Sequence, residues 1–329
     1  MLASVLCCGL HLPVERSSLH REAQQMRIGI ITSDPQLESC RQLAEEASSR
    51  GHEWVPLELL RLSVRNSAPY LFEGGVEVAH LDAAIIRLGA LLPGLVSAAG
   101  RALEQQGTAL LDGVDALLAA NDKMATLQRL SAAGIAVPET ELVRDLDQLE
   151  AAVDRVGGVP VVVKPLHGSQ GRGVILAERK STAISMMQSV LFQSREFILQ
   201  RYIECGGQDT RVVIMDGEVV AAMQRSAPEG DFRSNLHRGG SARCIEPSDD
   251  MKSLALEAAH HVGLRCAGVD IVNSGDQLLV LEVNGSPGLE GISSVTGVNV
   301  AGRWIDALES VVLERSASGS HEGRDREQV

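Results

Sequence analysis

Long apolar runs are missing from this sequence, and so is an excess of basic residues. No apolar run reaches the roughly eighteen residues that a membrane-spanning helix needs, so we expect no membrane span. The 30 Lys and Arg residues are outnumbered by 43 Asp and Glu residues, which gives a formal net charge of −13. General nucleic-acid binding needs a basic surface that neutralises phosphates, so this balance argues against that class of function.

Paired cysteine spacings are also lacking. The six cysteines are scattered along the chain, without the close pairs that a metal site of cysteines uses. In a chain of 329 residues, such scattered cysteines are typical of reduced thiols rather than of a disulfide framework. We therefore expect a cytoplasmic protein.

The two ends of the chain differ from its middle. Residues 1–25 lack the basic start and the small-residue cleavage pattern of a signal peptide, whereas MRIGIITSD at Met26 begins like a buried strand. We expect residues 1–25 to be a disordered extension, or translation to start at Met26. The polar tail of residues 314–329 is also expected to be disordered. Between the ends, the length favours two or three structural units.

Strands and helices alternate in the first part of the chain. Apolar runs of strand length occur at Arg27–Thr32 and near residues 54–57. Asp34-Pro35 offers an N-cap and a first-turn proline for a helix that ends at Gly51. The alternation predicts a small parallel sheet covered by helices over residues 26–121. No G-x-G-x-x-G follows the first strand, so a dinucleotide-binding fold is not supported.

Hairpin signals replace this alternation further along the chain. Asn121 is expected to cap a helix that ends at Gly134. After it come apolar strands joined by short turns, and the Asp216-Gly217 turn is a strong signal for a hairpin. We place a second structural unit at residues 122–203 and a third at residues 204–313.

Three polar residues fall on the last two predicted strands. Asp270 lies in AGVDIVN, and Glu282 and Asn284 lie two residues apart in LLVLEVN. Because side chains alternate along a strand, Glu282 and Asn284 should face one side, and Leu281 and Val283 the other. Two carboxylates and an amide oxygen form a hard ligand set that suits Mg²⁺. An ordinary solvated strand face shows the same alternation, so the pattern alone leaves both interpretations open.

A glycine-rich loop follows a lysine in VVVKPLHGSQGRGVILAE. Gly168, Gly171 and Gly173 lie between two apolar strands, which excludes a P-loop and a Rossmann turn because both lead into a helix. Such a loop can offer backbone N–H groups to phosphates, although hairpin glycines are more often simple turn residues. Lys164 ends an apolar strand, and a phosphate would provide the partner that a buried lysine needs. Lys123 is a second candidate cation, or a solvated helix lysine.

Positive charge concentrates in RSAPEGDFRSNLHRGGSA, within an otherwise acidic chain. Arg225, Arg233 and Arg238 carry forked donors that match phosphate or carboxylate oxygens. Asn235 and His237 lie among them, but His237 alone is weak evidence for a base or a metal ligand. A solvated loop is the simpler interpretation of this stretch taken by itself.

Together these segments resemble the ATP-grasp superfamily and, within it, the RimK-type alpha-L-glutamate ligases. The similarity covers roughly residues 26–313, and GDFRSNLHRGG and LEVNGSPGLEGI are its most specific segments. The other matching segments are NDK at Asn121, VVVKPLHGSQGRGV, FILQRYIE, the D-T-R at Asp209, and AGVDI. The resemblance implies an α/β (α+β) protein with the ATP-grasp fold and an N-terminal pre-ATP-grasp parallel-sheet domain.

The resemblance also implies a site for ATP and for one or two Mg²⁺ ions, with Mn²⁺ as a substitute. Asp270, Glu282 and Asn284 are the implied metal ligands, and Arg233 and Arg225 are the implied catalytic residues. Residues 200–203 would line the adenine, and Asp209 would lie near the ribose. The implied ATP-binding residues are Lys123, Lys164, Gly168, Ser169, Gln170, Gly171, Gly173, Gln200, Arg201, Tyr202, Ile203, Asp209, Arg233, Ser234 and Asn235.

The implied reaction is ATP-dependent ligation, in which a carboxylate becomes an acyl phosphate and the amine of glutamate attacks it. The best-known acceptor of the family is the C-terminal glutamate of the sixth small-subunit ribosomal protein. A small-molecule or carrier-protein acceptor would use the same ATP site. A non-catalytic nucleotide-binding regulator is a third interpretation, although no expected ligand is missing. The segment ALLPGLVSAAG departs from the family pattern, so the identity of the acceptor stays open. Whether the protein forms a homo-oligomer is also open.

Overall fold

The computed structural model describes residues 25–87, 92–168, 171–191, 196–234 and 239–325. Its first part contains β1 (Arg27–Thr32), α1 (Glu38–Ser49), β2 (Glu53–Glu58), a 3₁₀ turn (Leu59–Arg61), β3 (Leu62–Val64), β4 (Leu71–Glu73), β5 (Val76–Glu77), β6 (Ala83–Arg87), α2 (Pro93–Gln105), β7 (Ala109–Leu110) and α3 (Val114–Asn121). The expected parallel sheet is present, with the order β2-β1-β6-β7. A small antiparallel sheet, β3-β4-β5, lies beside it in the chain.

The second part of the chain forms a four-stranded antiparallel sheet. Its elements are α4 (Lys123–Ala132), β8 (Thr140–Leu142), a 3₁₀ turn (Leu146–Gln148), α5 (Leu149–Arg155), β9 (Val161–Pro165), β10 (Ile175–Ala177), α6 (Lys180–Leu191) and β11 (Phe197–Arg201). The strand order is β10-β9-β11-β8. Strand β9 is apolar and buried as far as Lys164, because α5 and α6 share a core with this sheet.

The third part forms a five-stranded antiparallel sheet. Its elements are β12 (Gln208–Met215), β13 (Glu218–Ser226), β14 (Ser241–Cys244), α7 (Asp249–Val262), β15 (Cys266–Asn273), β16 (Leu278–Asn284), α8 (Glu290–Thr296) and α9 (Val300–Asp325). The strand order is β14-β13-β12-β15-β16. The expected turn between β12 and β13 is present, with positive φ at both Asp216 (49°) and Gly217 (78°). These angles match the twist of a tight hairpin.

The hydrophobic cores explain why a cleft exists. The parallel sheet and the five-stranded sheet are joined by two shared cores, in which Leu43 packs with Trp304 and Val96 with Val262 as members of common clusters. The second sheet has a separate core, which includes Val163 and Leu199. Among the described residues, no hydrophobic cluster spans both the second and the third sheet, so their facing sides are free to line a binding site.

Two helix starts differ from the sequence predictions. Helix α1 begins at Glu38 rather than after Asp34-Pro35, because the Asp34 carboxylate accepts from Gln36 N (2.8 Å) in a turn that precedes the helix. Helix α4 is capped by Asp122, whose Oδ1 accepts from the backbone N–H groups of residues 124 and 125 (2.9 and 3.0 Å). Asn121, the predicted cap, is instead the last residue of α3.

The expectation of a disordered tail from residue 314 is wrong, at least as far as Asp325. Helix α9 continues through these residues. Two contacts tie its polar turns to the rest of the molecule: Glu314 pairs with Arg265 (2.7 Å), and Arg315 donates to the carbonyl of Thr108 (2.7 Å). Among the described residues, no helix combines the length and the apolar character that crossing a membrane requires.

Candidate active site

A cleft lies between the β9–β11 side of the second sheet and the β12–β16 side of the third. Apolar side chains from both sheets form part of its walls, among them Val162, Val174, Val272 and Leu281. Most residues predicted for an ATP and metal site line the same cleft: Lys123, Lys164, Gly168, Gly171, Gln200, Arg201, Tyr202, Ile203, Asp209, Arg225, Arg233, Ser234, Asp270 and Glu282. Motifs far apart in the chain therefore converge on one place.

Five of the predicted residues are not in that lining. Ser169, Gln170 and Asn235 lie outside the described residues. Gly173 belongs to the glycine-rich loop but does not face the cleft, and Asn284 lies at the end of β16. The apolar wall residues were missed by sequence reasoning because every buried strand carries such side chains.

Lys164 places a nearly buried ammonium group at the cleft. Its side chain comes from β9, only 8% of the residue is exposed, and its Nζ donates to Gln200 Oε1 (2.9 Å). Gln200 in turn donates to Thr140 Oγ1 (2.8 Å). Burial lowers the pKa of Lys164 to about 8, against the attraction of the Glu282 and Asp270 carboxylates. No carboxylate of the described residues is bonded to this ammonium, and a buried cation in that state is well suited to bind an anion.

The glycine-rich loop between β9 and β10 is held from below by Lys123. The Lys123 ammonium donates to the carbonyl of Gly168 (2.8 Å), so it organises the loop as well as adding positive charge. Gly171 and Gly173 have φ values of 66° and 73°, a region that residues with a Cβ rarely adopt. The glycines are therefore required by the backbone path of this loop.

A network of two acids and two arginines occupies the floor of the cleft. Arg225 is 4% exposed and makes a bidentate pair with Asp209 (both 2.6 Å), and its Nη2 also reaches Asp270 (2.9 Å). Arg211 makes a second bidentate pair with Asp270 (both 2.7 Å). Burial alone would raise the pKa of Asp270, but the two guanidinium groups outweigh it and hold that pKa at about 2.

Arg211 was not predicted as a site residue, although a signal for it existed. In the D-T-R segment, Asp209 and Arg211 are two residues apart on one strand and so face the same side. The sheet register pairs Asp209 with Arg225 and Arg211 with Asp270. Asp209 itself was expected near a ribose, but Arg225 and Ser234 (Oγ–Oδ2 2.5 Å) engage both of its oxygens.

The predicted metal ligands are brought together by the β15–β16 ladder. Asp270 and Glu282 are direct cross-strand partners, and Asn284 is opposite Gly268. The register shifts after Asp270 because a bulge inserts Leu281. This bulge corrects one expectation: Leu281 was predicted to face away from Glu282, but both side chains line the cleft.

The chemistry of this donor set fits a hard divalent cation. With its amide oriented to satisfy both ends, Asn284 Nδ2 donates to Glu282 Oε1 and Oδ1 accepts from Arg211 Nη2 (both 3.2 Å). Two carboxylates and an amide oxygen are the ligand types that Mg²⁺ uses, and the other positions go to water and phosphate oxygens. Within the described ranges there is no cluster of three His, Cys, Asp or Glu side chains, so the protein would supply only part of the coordination.

Arg233 lies at the rim of the cleft and joins its two sides. It makes a bidentate pair with Asp231 (2.9 and 2.8 Å), which holds the pKa of that carboxyl at about 2. Its Nη1 donates to the carbonyl of Val174 (3.0 Å), just beyond the glycine-rich loop. Phe232 packs under the guanidinium at 5.6 Å and edge-on to Tyr202 at 6.3 Å. Unlike Arg225, Arg233 is partly exposed to the cleft.

A buried lysine, a glycine-rich hairpin and an acidic strand pair in a cleft between two antiparallel sheets define the ATP-grasp class of ATP-dependent ligases. Comparison with known proteins agrees. Residues 120–308 match the RimK-like ATP-grasp domain, and residues 26–117 match the RimK pre-ATP-grasp domain. The chain therefore belongs to the RimK-like ATP-grasp family, and the expected fold and ligase class are confirmed.

Individual relatives are similar over most of their length. The chain is 41% identical over 287 residues to a probable alpha-L-glutamate ligase of Nitrosococcus oceani, covering 86% of this chain and 95% of that one. A probable alpha-L-glutamate ligase of Thioalkalivibrio sulfidiphilus is 40% identical over the same shares. The fold also matches the crystal structure of a RimK domain ATP-grasp protein from Sphaerobacter thermophilus, with a TM-score of 0.69 at 24% identity, covering 86% of this chain and 99% of that one.

Proposed function

We propose that this chain is an ATP-dependent ligase that joins glutamate to a carboxylate acceptor through an acyl phosphate. The observation that carries the proposal is the Lys164 ammonium, which is buried at a cleft that also holds Asp270 and Glu282. This juxtaposition suits a nucleotide whose phosphates contact the lysine and whose metal contacts the acids. The relatives named as probable alpha-L-glutamate ligases support glutamate as the amine substrate.

ATP would lie with its phosphates at Lys164 and under the glycine-rich loop, which includes Gly168, Gly171 and the predicted Ser169 and Gln170. The adenine would lie along residues 200–203, where apolar walls exclude water from the ring. The remaining predicted nucleotide-binding residues, Lys123, Gly173, Ser234 and Asn235, are assigned to the phosphate end of this site. Asp209 would lie near the ribose, and its bidentate pair also holds Arg225 in place.

Asp270, Glu282 and Asn284 would hold one or two Mg²⁺ ions, and the same oxygen ligands would accept Mn²⁺. Bound there, such a cation would supply positive charge that neutralises phosphate oxygens. Arg211 and Arg225 keep Asp270 ionised, since they hold its pKa at about 2. Asp270 is therefore a charged ligand at every pH at which the protein would work.

The acceptor carboxylate is a poor electrophile until it is phosphorylated. Its oxygen takes the γ-phosphoryl group of ATP, which forms an acyl phosphate and releases ADP. The glutamate amine then attacks the carbonyl carbon, an amide bond forms, and phosphate and a proton leave. Arg233, at the rim of the cleft, would stabilise negative charge on the acyl phosphate and on the tetrahedral oxygen, and Arg225 would support that charge from below.

For the acceptor we propose the C-terminal carboxylate of the sixth small-subunit ribosomal protein. The support is the overall resemblance to the RimK-type ligases. An acidic acceptor tail would be repelled by the net charge of −13 and so needs the local positive charge of Arg225 and Arg233. A small-molecule or carrier-protein acceptor would use the same ATP chemistry.

The experiment is to incubate the full chain with ATP, Mg²⁺, glutamate and one candidate acceptor at a time, and to measure ADP release and acceptor mass. We expect the mass of the ribosomal protein to rise in steps of one glutamate residue, and no rise with Glu282→Gln. If only a small molecule or a carrier protein is modified, the proposed acceptor is wrong but the proposed ligase activity stands. Absence of glutamate-dependent ADP release with every acceptor would reject the proposal.

A further inference from the structure

The parallel sheet contains a point, outside the lining of the ATP cleft, at which its strand order reverses. Its strand order, β2-β1-β6-β7, reverses direction between β1 and β6. In open sheets of parallel strands, ligands bind in the crevice at the carboxyl ends of the two strands where the order reverses. Here those ends are Thr32 and Arg87, which are cross-strand partners. A charged residue therefore sits at the place where this kind of sheet binds a ligand.

The contacts of Arg87 leave part of its guanidinium without a partner. Its Nη2 donates to the carbonyl of Pro287 (3.0 Å), and its guanidinium carbon lies 5.0 Å from the centre of the Trp304 ring. Its Nη1 is buried and has no hydrogen-bond acceptor among the described residues. Trp304 Nε1, in the same stacked pair, is a second buried donor without an acceptor in that part of the chain.

A guanidinium nitrogen that is buried without an acceptor is costly unless something else satisfies it. Arg50, which joins α1 to α9, shows the usual solution: it bonds Asp306 (2.8 Å), Glu46 (2.8 Å) and the carbonyl of Gly302 (3.0 Å). No carboxylate in the described residues forms an ion pair with Arg87 in this way, and burial lowers the pKa of Arg87 to about 10. An anionic ligand would supply the missing acceptor and the missing charge.

The crevice is connected to the acidic strand pair by one short segment. Pro287 follows Asn284, the last residue of β16, by three positions. Ser286 Oγ, in the same segment, lies 3.5 Å from the carbonyl of Ile86, which precedes Arg87. A ligand group bound at Arg87 would therefore lie beside the segment that directly follows the strand carrying the proposed metal ligands.

We propose that Arg87 binds a substrate carboxylate that does not react, and so places the reacting group of that substrate near the end of β16. The inference rests on the proposed ligase function, in which both substrates carry carboxylates. A guanidinium matches a carboxylate with two parallel hydrogen bonds. The carboxylate comes either from glutamate or from the acceptor, and the two sources are separable by experiment.

The test compares the full chain with Arg87→Gln and Arg87→Lys, and uses Arg50→Gln as the matched control. For each protein, the KM for ATP, for glutamate and for the acceptor is measured, together with the melting temperature. We expect Arg87→Gln to raise the KM for one carboxylate substrate roughly 10- to 100-fold and to leave the KM for ATP unchanged. A rise for glutamate identifies glutamate as the source, and a rise for the acceptor identifies the acceptor.

Amide analogues separate recognition from a merely structural effect. In the wild-type chain, glutamine or isoglutamine in place of glutamate, or an amidated acceptor side chain, should bind at least about tenfold more weakly. In Arg87→Gln this discrimination should disappear, whereas Arg87→Lys should keep part of it and Arg50→Gln all of it. Equal discrimination in the wild type and Arg87→Gln would overturn the proposal.

Direct binding keeps the test independent of turnover. Equilibrium dialysis of labelled glutamate, and of the acceptor, against wild type and Arg87→Lys in the presence of a non-hydrolysable ATP analogue needs no ligation. Binding that Arg87→Lys weakens, without any ligation, would reject the proposed function but support the carboxylate site. If the chain catalyses ligation but Arg87→Lys leaves carboxylate binding unchanged, the proposed function is supported and the carboxylate site at Arg87 is rejected. Because Arg87→Lys keeps a charge at the crevice, it serves as the informative variant if Arg87→Gln does not fold.

Discussion

Asp270 and Glu282 face each other as direct partners across the β15–β16 ladder. Side chains in such positions lie about 5 Å apart, and two carboxylates there repel one another unless cations lie between or beside them. Arg211 and Arg225 compensate Asp270. No cationic side chain forms an ion pair with Glu282 within the described ranges. A divalent cation would therefore stabilise Glu282 more than it would stabilise Asp270.

The first prediction uses this difference. We expect Glu282→Gln to lower ligation by at least roughly 100-fold and to change the melting temperature little, because it removes a proposed metal ligand but no ion pair of the described residues. Asp270→Asn should lower both the ligation rate and the melting temperature, since it leaves Arg211 and Arg225 without their buried charged partner. Ligation assays over a range of Mg²⁺ concentrations and thermal melts measure the two effects. Asn273→Ala, at the exposed end of β15, is the control, and equal ligation in Glu282→Gln and this control would contradict the metal assignment.

The β15–β16 strand pair shows which features of the site the sequence could predict and which it could not. Strand alternation predicted that Glu282 and Asn284 face the same side, because a period of two is a property of any strand. The pairing of Asp270 with Glu282 comes from the register of the β15–β16 ladder. Alternation misplaced Leu281, because a bulge inserts one residue and no local signal in LLVLEVN announces it. It also missed Arg211, whose importance comes from a cross-strand partner almost sixty positions away in the chain (|i−j| = 59).

Local signals failed in a similar way at the ends of elements. Asn121 and Asp122 are both good caps, and the choice of Asp122 depends on where α3 ends, which tertiary packing decides. The polar turns after residue 314 have no apolar face of their own, so only their contacts with Arg265 and Thr108 explain why α9 continues. Long-range contacts, rather than propensity, account for these differences.

A second prediction concerns the buried ammonium group of Lys164. We expect Lys164→Met to weaken ATP binding by at least about tenfold, because phosphates would lose a charged donor. The melting temperature should hold or rise, since methionine fills similar space without the cost of burying a charge. Nucleotide binding measured by calorimetry tests this, with Lys180→Met, a partly exposed lysine outside the cleft lining, as the control. A large loss of stability with unchanged ATP affinity would mean that Lys164 has a structural role only.

A third prediction separates the glycine-rich loop from other glycine turns. Gly173 and Gly275 both have positive φ, 73° and 91°, so alanine at either position should cost about 1 kcal/mol of stability. Only Gly173→Ala should raise the KM for ATP, about tenfold, because it shifts the loop that would cover the phosphates. Gly275→Ala lies in the β15–β16 turn, away from the cleft, and serves as the control. Equal KM values for the two variants would show that the loop does not contact ATP.

A fourth prediction distinguishes the two arginines expected to take part in catalysis. Arg225→Met should cost about 3–5 kcal/mol of unfolding free energy, because Asp209 and Asp270 would be left buried without their shared cation. Arg233→Met should lower ligation roughly 100-fold at a much smaller cost in stability, since Arg233 is partly exposed at the rim. Chemical denaturation and ligation assays give the two quantities. The reverse ordering of the two stability losses would contradict this division of roles.

Asp112 is a buried carboxyl group that ties the first sheet to the third. It is 7% exposed, and its Oδ1 accepts from the backbone N–H groups of Arg265 (2.6 Å) and Cys266 (3.3 Å). Burial raises the pKa of Asp112 from 3.8 to about 7, because the two N–H groups and the Arg265 charge compensate it only in part. The fold therefore favours the uncharged acid at this position.

The sign of the resulting pH dependence follows from linkage. Because the folded pKa lies above the unfolded one, the contribution of Asp112 to stability is complete below pH about 4 and is lost as the pH rises to about 7. Asp112→Asn keeps an oxygen acceptor but cannot ionise, so its melting temperature should exceed that of the wild type by roughly 2 °C or more at pH 8, and by less at pH 5. Thermal melts at both pH values, with the exposed Asp276→Asn as control, measure the difference. If the gap does not widen between pH 5 and pH 8, burial does not hold Asp112 in its uncharged form.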